Sequence, residues 1–240
     1  MVKKLSDIKK SVENDNEKFY DFFISSLHPE IIAFLFKLMS KTKIYLFSGI
    51  IRDFYLNKKK DVKFRDIDII IQDDLKVEDF FNNWDFTKNS FGGYKIYASN
   101  NVIDMWVIKD TWALNNGQLK LEFSHTSELP KTTFFNFSSI LYSLNDRSFI
   151  IGKDFLRFLR DKKIELVLDK NPNPELCLVN SFYYCDKLKL KLGEKLKKYL
   201  KANIDQYSHN LEYIQIKHFN KILYTSTELQ NRVQNMPLNE

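Results

Sequence analysis

IYLFSGIIRDFYLNKKKDVKFRDIDIII, residues 44–71, is the stretch on which the fold turns. Lys43 to Phe47 is a short β-type run, Ser48 and Gly49 form a tight turn, and Ile50 to Leu56 reads as a short helix carrying Arg52 and Asp53. A basic loop follows, and then Asp66 to Ile71, whose β-branched density is that of a buried strand. Each part has a chemical use. Small residues at Ser48 and Gly49 let backbone amides and a helix N-terminus come close to phosphate groups, with Arg52 one turn into that helix. Asp66 and Asp68 stand two apart on a strand, so they project from one face and can share a metal ion.

Plainer readings exist for both pairs. Two solvated acids at a strand end would explain Asp66 and Asp68, but the run from Ile67 to Ile71 is too apolar for an exposed edge. Arg52 and Asp53 alone would be an ordinary surface pair. Their position after Ser48-Gly49 reverses that preference. Outward from this stretch, residues 4–39 have helical spacing, with Phe19, Phe22, Phe23, Leu27, Ile31, Ile32, Leu35 and Leu38 three or four apart and Pro29 opening the last helix. Downstream, the pattern predicts a crossover helix over Lys76 to Trp84 and short strands at 86–88, 94–98 and 102–107, with Gly92-Gly93 turning between the first two. It further predicts a strand near Thr133 to Phe137, a helix or strand near Ile140, and a strand pair formed by Phe149 and Ile164 to Leu168. Asn171-Pro172-Asn173-Pro174 is the clearest boundary, and helices follow it to about Leu223, with a frayed polar end from Gln230.

In this order of elements the sequence resembles the head domain of class II tRNA nucleotidyltransferases and bacterial poly(A) polymerases. The family pattern is a strand, Gly-Gly or Gly-Ser, two residues, Arg-Asp, a short loop, and Asp-x-Asp in an apolar strand. Here Ser48 and Gly49 stand at the glycine pair, Arg52 and Asp53 at the Arg-Asp, and Asp66 and Asp68 at the paired carboxylates. The resemblance implies an α+β fold, a nucleotidyltransferase-type mixed sheet with flanking helices followed by a small helical C-terminal region. The expected organisation is N-terminal helices over 1–40, the head over 41–170 and the helical region over 171–240.

The resemblance also implies a reaction: a nucleoside monophosphate passes from a nucleoside triphosphate to an acceptor hydroxyl with release of pyrophosphate, supported by Mg²⁺ or Mn²⁺. Such chemistry needs a third carboxylate from a neighbouring strand. NVIDMWVIKDTWAL, 101–114, offers Asp104, an acid costly to bury between Ile103 and Met105 without a cation. Asp110 is the competitor, although before Thr111 it reads as a helix cap. Asp66, Asp68 and Asp104 are thus the expected metal-holding catalytic set, with Ser48, Gly49, Arg52 and Asp53 binding the nucleotide.

The later signatures of the family are altered. Where relatives carry Arg-Arg-Asp-Phe and then Asn-Ala, this chain has TTFFNFSS, 132–139; where they carry Asp-Pro-x-Arg on a helix, ELCLVNSFYYCDKLKLKL, 175–192, has Cys177 and Asn180 in place of arginines. Base selection is therefore not carried over, CCA addition is not expected, and the tail is short for the relatives' neck, body and tail.

Composition frames the rest. With 240 residues, 44% hydrophobic and 28% charged, the chain has the balance of a soluble globular protein with an aromatic-rich core. Cys177 and Cys185 fit no zinc knuckle or disulfide framework, and His28, His125, His209 and His218 show no ligand spacing. The charged N-terminus and lack of a long apolar run predict a cytoplasmic protein without a membrane span. The net charge of +6 favours a polyanionic partner weakly, and its densest part is KLKLKLGEKLKKYLK, 187–201. Read as a lysine-rich helix, this segment offers Lys187, Lys195, Lys197 and Lys198 to RNA phosphates; a solvated helix face is the plainer alternative. Three acceptor classes follow: the end of an RNA or tRNA, which leads; a small molecule or protein side chain; or none, in a nucleotide- or RNA-binding module.

Overall fold

The structure, a computed structural model, describes residues 3–47, 49–57, 66–81, 84–89, 92–115 and 126–238. Three amphipathic helices come first: α1 (Leu5–Glu13), α2 (Asn16–Ser25) and α3 (Pro29–Met39). Pro29 occupies the first turn of α3, where no backbone donor is needed, and Ile31, Phe34, Leu35 and Leu38 form its buried stripe. The chain continues through β1 (Ile44–Phe47), α4 (Gly49–Asn57), β2 (Asp66–Ile71), β3 (Asp85–Lys88), β4 (Tyr94–Ala98), β5 (Asn101–Val107) and the short α5 (Trp112–Asn115). After these come β6 (Ile140–Ser143), β7 (Ser148–Ile151), α6 (Lys153–Asp161), β8 (Lys163–Ile164), α7 (Pro174–Leu188) and β9 (Lys191–Leu192). Three helices end the chain: α8 (Glu194–Tyr207), α9 (Leu211–Phe219) and α10 (Ser226–Gln234). Among the described residues no helix is long and apolar enough to cross a membrane.

Seven strands form one mixed sheet in the order β3-β4-β5-β2-β1-β6-β7. Within it β2 and β5 run parallel, and the other neighbours are antiparallel. Strand alternation then separates two faces. Ile67, Ile69 and Ile71 of β2, with Ile103, Met105 and Val107 of β5, join the helices in the main core. The other face carries a smaller apolar cluster, in which Tyr45, Ile70 and Leu141 pack with Phe47 and Trp106. Because Asp66 and Asp68 alternate with the core isoleucines, they fall on this second face, and so does Asp104. Asn145 secures the strand that leads to the turn: its Oδ1 accepts from Ile44 N at 2.9 Å and its Nδ2 donates to the carbonyls of Met39 and Thr42.

The expected α+β architecture, with N-terminal helices, mixed sheet and helical C-terminal region, is observed; several local expectations are not. Among the described residues of Lys76 to Trp84 there is a 3-10 turn over Val77–Phe80 in place of the expected α-helix. Val77 and Phe81 meet an i, i+4 pattern that one such turn satisfies, and Phe81 and Trp84 then pack on Phe34 of α3. Thr133 to Phe137 is not a strand but a single Phe135–Leu166 bridge followed by a 3-10 turn at Asn136–Ser138. Backbone bonds join Phe134 O to Val167 N and Thr133 O to Leu168 N, but at the turn the Asn136 side chain takes over: its Nδ2 donates to Lys163 O and its Oδ1 accepts from Glu165 N. Near Ile140 the chain is strand β6. Phe149 lies on β7 and pairs with β6, whereas Lys163–Ile164 pairs in parallel with β9. The polar end is helical to Gln234, because Leu229 and Val233 are buried and Arg232 makes a two-pronged salt bridge to Asp186 at 2.8 Å.

The lysine-rich segment is not one helix either. Lys189 ends α7 in the left-handed region (φ 52°), β9 intervenes, and Gly193 precedes α8. The cause is Glu165, whose carboxylate accepts from Leu196 N at 2.7 Å and Lys195 N at 3.3 Å, satisfying orphan donors at the start of α8. Gly193 lies so close to that carboxylate that a Cβ there would collide with Glu165 Oε2. Glu165→Ala is expected to cost about 1–2 kcal/mol through loss of the cap. Gly193→Ala should destabilise the wild-type protein but do little in the Glu165→Ala background, since the two residues are in contact. Urea unfolding of both single mutants and the double mutant checks this; additive losses would contradict it.

Candidate active site

The site begins with register. β2 and β5 pair so that Asp68 stands opposite Asp104, and Asp66 opposite Val102. On the far side of β5 the antiparallel partner of Asp104 is Lys95 of β4. Lys95, Asp104 and Asp68 therefore form a row across three strands on one face, with Asp66 one pleat away. Lys95 Nζ reaches Asp104 Oδ1 at 3.7 Å.

Crowding is visible in the protonation equilibria. Burial, then the charges of Asp104 and Asp66, push the Asp68 carboxyl up to about 7, against the opposing pull of Arg52 and Lys95. Asp104 is raised too, first by burial, with Lys95 opposing and Asp66 adding to the rise. Like charges on adjacent strands disfavour full ionisation unless a cation joins them. Among the described residues no three His, Cys, Asp or Glu side chains converge closely enough to hold a metal ion together, this row included. The donor set still fits a hard divalent cation, being oxygen-only and made of carboxylates.

The turn and helix bring the remaining residues. Gly49 starts α4 against the carboxylates: a Cβ on it would stand 3.9 Å from Asp68 Oδ2. The first backbone donors of α4 thus open beside Asp68. Ser48 lies outside the described residues. Arg52 is 7% exposed; its Nε donates to Asp53 Oδ1 at 2.8 Å, and its guanidinium lies against the edge-to-face pair Phe137–Tyr184, 5.5 Å from the first ring centroid and 5.1 Å from the second. Burial works against the charge of Arg52, but the hydrogen bond and charge of Asp53, with Tyr184, outweigh it, and the guanidinium titrates above its ordinary value. Arg52 thereby links α4 to α7 while acting on Asp68 through its charge.

The sequence does not single out Lys95, and it reads the aromatic runs 134–137 and 182–184 as core rather than as partners of Arg52. Alternation in YKIYA marks Lys95 as facing away from Tyr94 and Ile96, but only the register of β4 on β5 shows that it meets Asp104. Asp110 ends a 3-10 turn, and Thr111, not Asp110, directly precedes α5.

The four lysines are dispersed. Lys187 is exposed, with its Nζ against the ring and hydroxyl of Tyr183 on α7. Lys195 and Lys198 are exposed on α8. Lys197 is largely covered, bonded to Glu194 Oε1 at 2.8 Å and Pro237 O at 3.0 Å.

No family model matches the chain, and no curated protein matches it significantly. Solved structures do share the fold. A CCA-adding enzyme in complex with CTP is 15% identical, with a TM-score of 0.62 over 89% of this chain and 53% of that one. The Thermotoga maritima CCA-adding enzyme complexed with tRNA is 16% identical, with a TM-score of 0.61 over 89% and 52%. A tRNA nucleotidyltransferase with a primer tRNA and an incoming ATP analog is 17% identical, with a TM-score of 0.55 over 77% and 54%. The chain spans about half the length of these structures. The resemblance read from residues 44–71 thus holds at the level of the fold.

The raised Asp68 equilibrium carries a stability consequence. Its folded value, about 7, lies above its ordinary 3.8, so ionisation costs stability that is absent below pH 3.8 and grows until pH 7. In chelator, Asp68→Asn is expected to unfold several degrees above the wild type at pH 8, at roughly 2–4 °C per kcal/mol for a chain of this size. That gain should vanish as the pH falls toward 4. Thermal melts across this range test it, and a gain independent of pH would dissociate the effect from Asp68 ionisation.

Proposed function

We propose that this chain, which shares its fold with CCA-adding enzymes, is a metal-dependent nucleotidyltransferase that moves a nucleoside monophosphate from a triphosphate to the end of an RNA. The observation that carries the reading is the row of carboxylates on parallel β2 and β5, with the N-terminus of α4 opening directly beside Asp68. Neighbours of the same fold are complexes with CTP, with an ATP analog and with tRNA, which supports a nucleotide and an RNA as partners.

In this reading Asp66, Asp68 and Asp104 hold Mg²⁺ or Mn²⁺. The chemistry such an ion supplies when bound is charge neutralisation at the triphosphate and a lowered pKa for the acceptor hydroxyl. The protein's own groups position the reactants. Ser48, Gly49 and the first amides of α4 cradle phosphate oxygens at a helix N-terminus. Arg52, fixed by Asp53 and its two aromatic neighbours, contributes a buried positive charge that offsets the carboxylates. Lys95 offsets the charge of Asp104 from the neighbouring strand. Attack by the acceptor oxygen on the α-phosphorus expels pyrophosphate, with the side chains orienting and neutralising rather than reacting. Lys187, Lys195 and Lys198 offer contacts to RNA phosphates. Lys197 is committed to Glu194 and belongs to the fold.

The test is incubation with each α-labelled nucleoside triphosphate, Mg²⁺ and total RNA. Label should enter RNA, and Asp66→Ala, Asp68→Ala or Asp104→Ala should each lower the rate on the order of 10²-fold or more, the scale of groups aimed at developing charge. Label in small molecules or protein would replace the RNA acceptor; no label with any nucleotide would overturn the transferase. For the lysines, Lys195→Glu with Lys198→Glu should weaken RNA binding and flatten its dependence on salt by about 0.7–0.9 in log–log slope per lost phosphate contact. An unchanged slope would remove these lysines from the RNA interface.

A further inference from the structure

One pleat from the carboxylate row, on the same sheet face, lies a cavity of about 260 Å³. Its lining includes the aromatic residues Phe47, Trp106 and Trp112 and the polar residues Asn89, Asp110 and Asn171. Trp106 is two residues beyond Asp104 on β5, hence ~7 Å along the strand on the same face. Phe47 stands edge-on to Trp106, with ring centroids 6.0 Å apart at 74°.

Local geometry keeps this space open. Tyr94 pairs with Met105, so Gly93, one residue earlier, falls level with Trp106. Gly93 also lines the cavity, and a Cβ there would come within 2.9 Å of Asn89 Nδ2 and 3.3 Å of Met105 O. On the β4 side, therefore, Trp106 has no neighbouring side chain to cover it, while Ile70 flanks it on β2. Trp106 is held by its Nε1, which donates to Thr111 Oγ1 at 3.2 Å.

From these features we infer that the cavity binds a nucleobase, stacked on tryptophan and read along its edge by Asn89, Asp110 and Asn171. This rests on the transferase reading for its choice of ligand, because both a triphosphate and an RNA end bring a base within one nucleotide's length of the carboxylates. Three observations favour a base over other ligands. The volume suits one ring system rather than a whole nucleotide, falling just under the ~300–1,000 Å³ of sites for larger ligands. The aromatic walls offer the stacking that every base accepts. Among the described residues no lysine or arginine lines the cavity and an aspartate does, so phosphate is disfavoured there and remains beside Gly49. An ionised aspartate only accepts hydrogen bonds, so it favours bases with an exocyclic amino group and makes uracil the weakest ligand.

Fluorescence provides the test, since Trp106 and Trp112 line the cavity while Trp84 packs on Phe34. The four nucleosides, their triphosphates, a short single-stranded RNA and inorganic tripolyphosphate are titrated into the full chain. Quenching by nucleosides is expected, uridine weakest, with none from tripolyphosphate. Trp112→Ala, or Asn171→Ala at the rim should the first variant fold poorly, should weaken nucleoside binding by about tenfold. Quenching by triphosphates assigns the cavity to the incoming base, and quenching by RNA but not triphosphates assigns it to the acceptor base. Triphosphate binding seen by equilibrium dialysis without quenching, and insensitive to both variants, would overturn the inference while leaving the transferase reading intact. Nucleoside quenching in a protein that transfers no label would do the reverse.

Discussion

The placement of Asp68 opposite Asp104 on parallel strands is the constraint around which the rest of this structure is arranged. Two acids in register on neighbouring strands repel each other, and burial raises the cost further. Such a pair persists only because the opposite face of the same strands is continuously apolar. Ile67, Ile69, Ile71, Ile103 and Met105 are essentially inaccessible to water and fix the register, since a slip by one residue would put the acids into the core. The hydrophobic face therefore positions charges that by themselves would move apart.

Positive charge is supplied from two directions, and each source is itself held in place. Lys95 comes from the antiparallel neighbour β4 and remains half exposed. Arg52 comes from α4 and is buried, with Asp53 taking one hydrogen bond and the Phe137–Tyr184 ring pair lying against the guanidinium. One of those rings, Tyr184, belongs to α7, so the helix after the Asn-Pro boundary is coupled to the carboxylate face through a single side chain. An arginine suits this role better than a lysine because its flat group can stack while keeping its charge.

How much of this was legible in the sequence depends on whether the signal was local. Strands β1 and β2 and helix α4, which starts at Gly49, are legible because alternation, small residues and β-branching act within a few positions. The pairing of Asp104 with Asp68 rested on family resemblance, since spacing along one strand says nothing about register with another. Lys95 is not legible for that reason, nor is the contact of Arg52 with the Phe137–Tyr184 pair, because its members lie far apart in sequence. Two of the differences after residue 130 share a cause. Asn136 and Glu165 take backbone hydrogen bonds with their side chains, which turns a strand-like run into a 3-10 turn and divides a helix-like run at Gly193.

The C-terminal helices follow the same rule of side chains standing in for backbone. Gln215 is fully buried, and its amide satisfies both sides of the loop before α10: Nε2 donates to Leu211 O and Tyr224 O at 2.8 Å, and Oε1 accepts from Leu223 N and Tyr224 N at 2.9 Å. Tyr224 and Arg232 then both bind Asp186 on α7, with Arg232 stacked over Phe182. A buried amide with every partner supplied specifies one arrangement of its neighbours, because any other leaves donors or acceptors unpaired. The region that sequence alone describes as polar and frayed is thus fixed to α7, the helix that also carries Tyr184. The order imposed by Gln215 and Asp186 therefore reaches the carboxylate face through α7 and Arg52, along a path in which each link is a named contact.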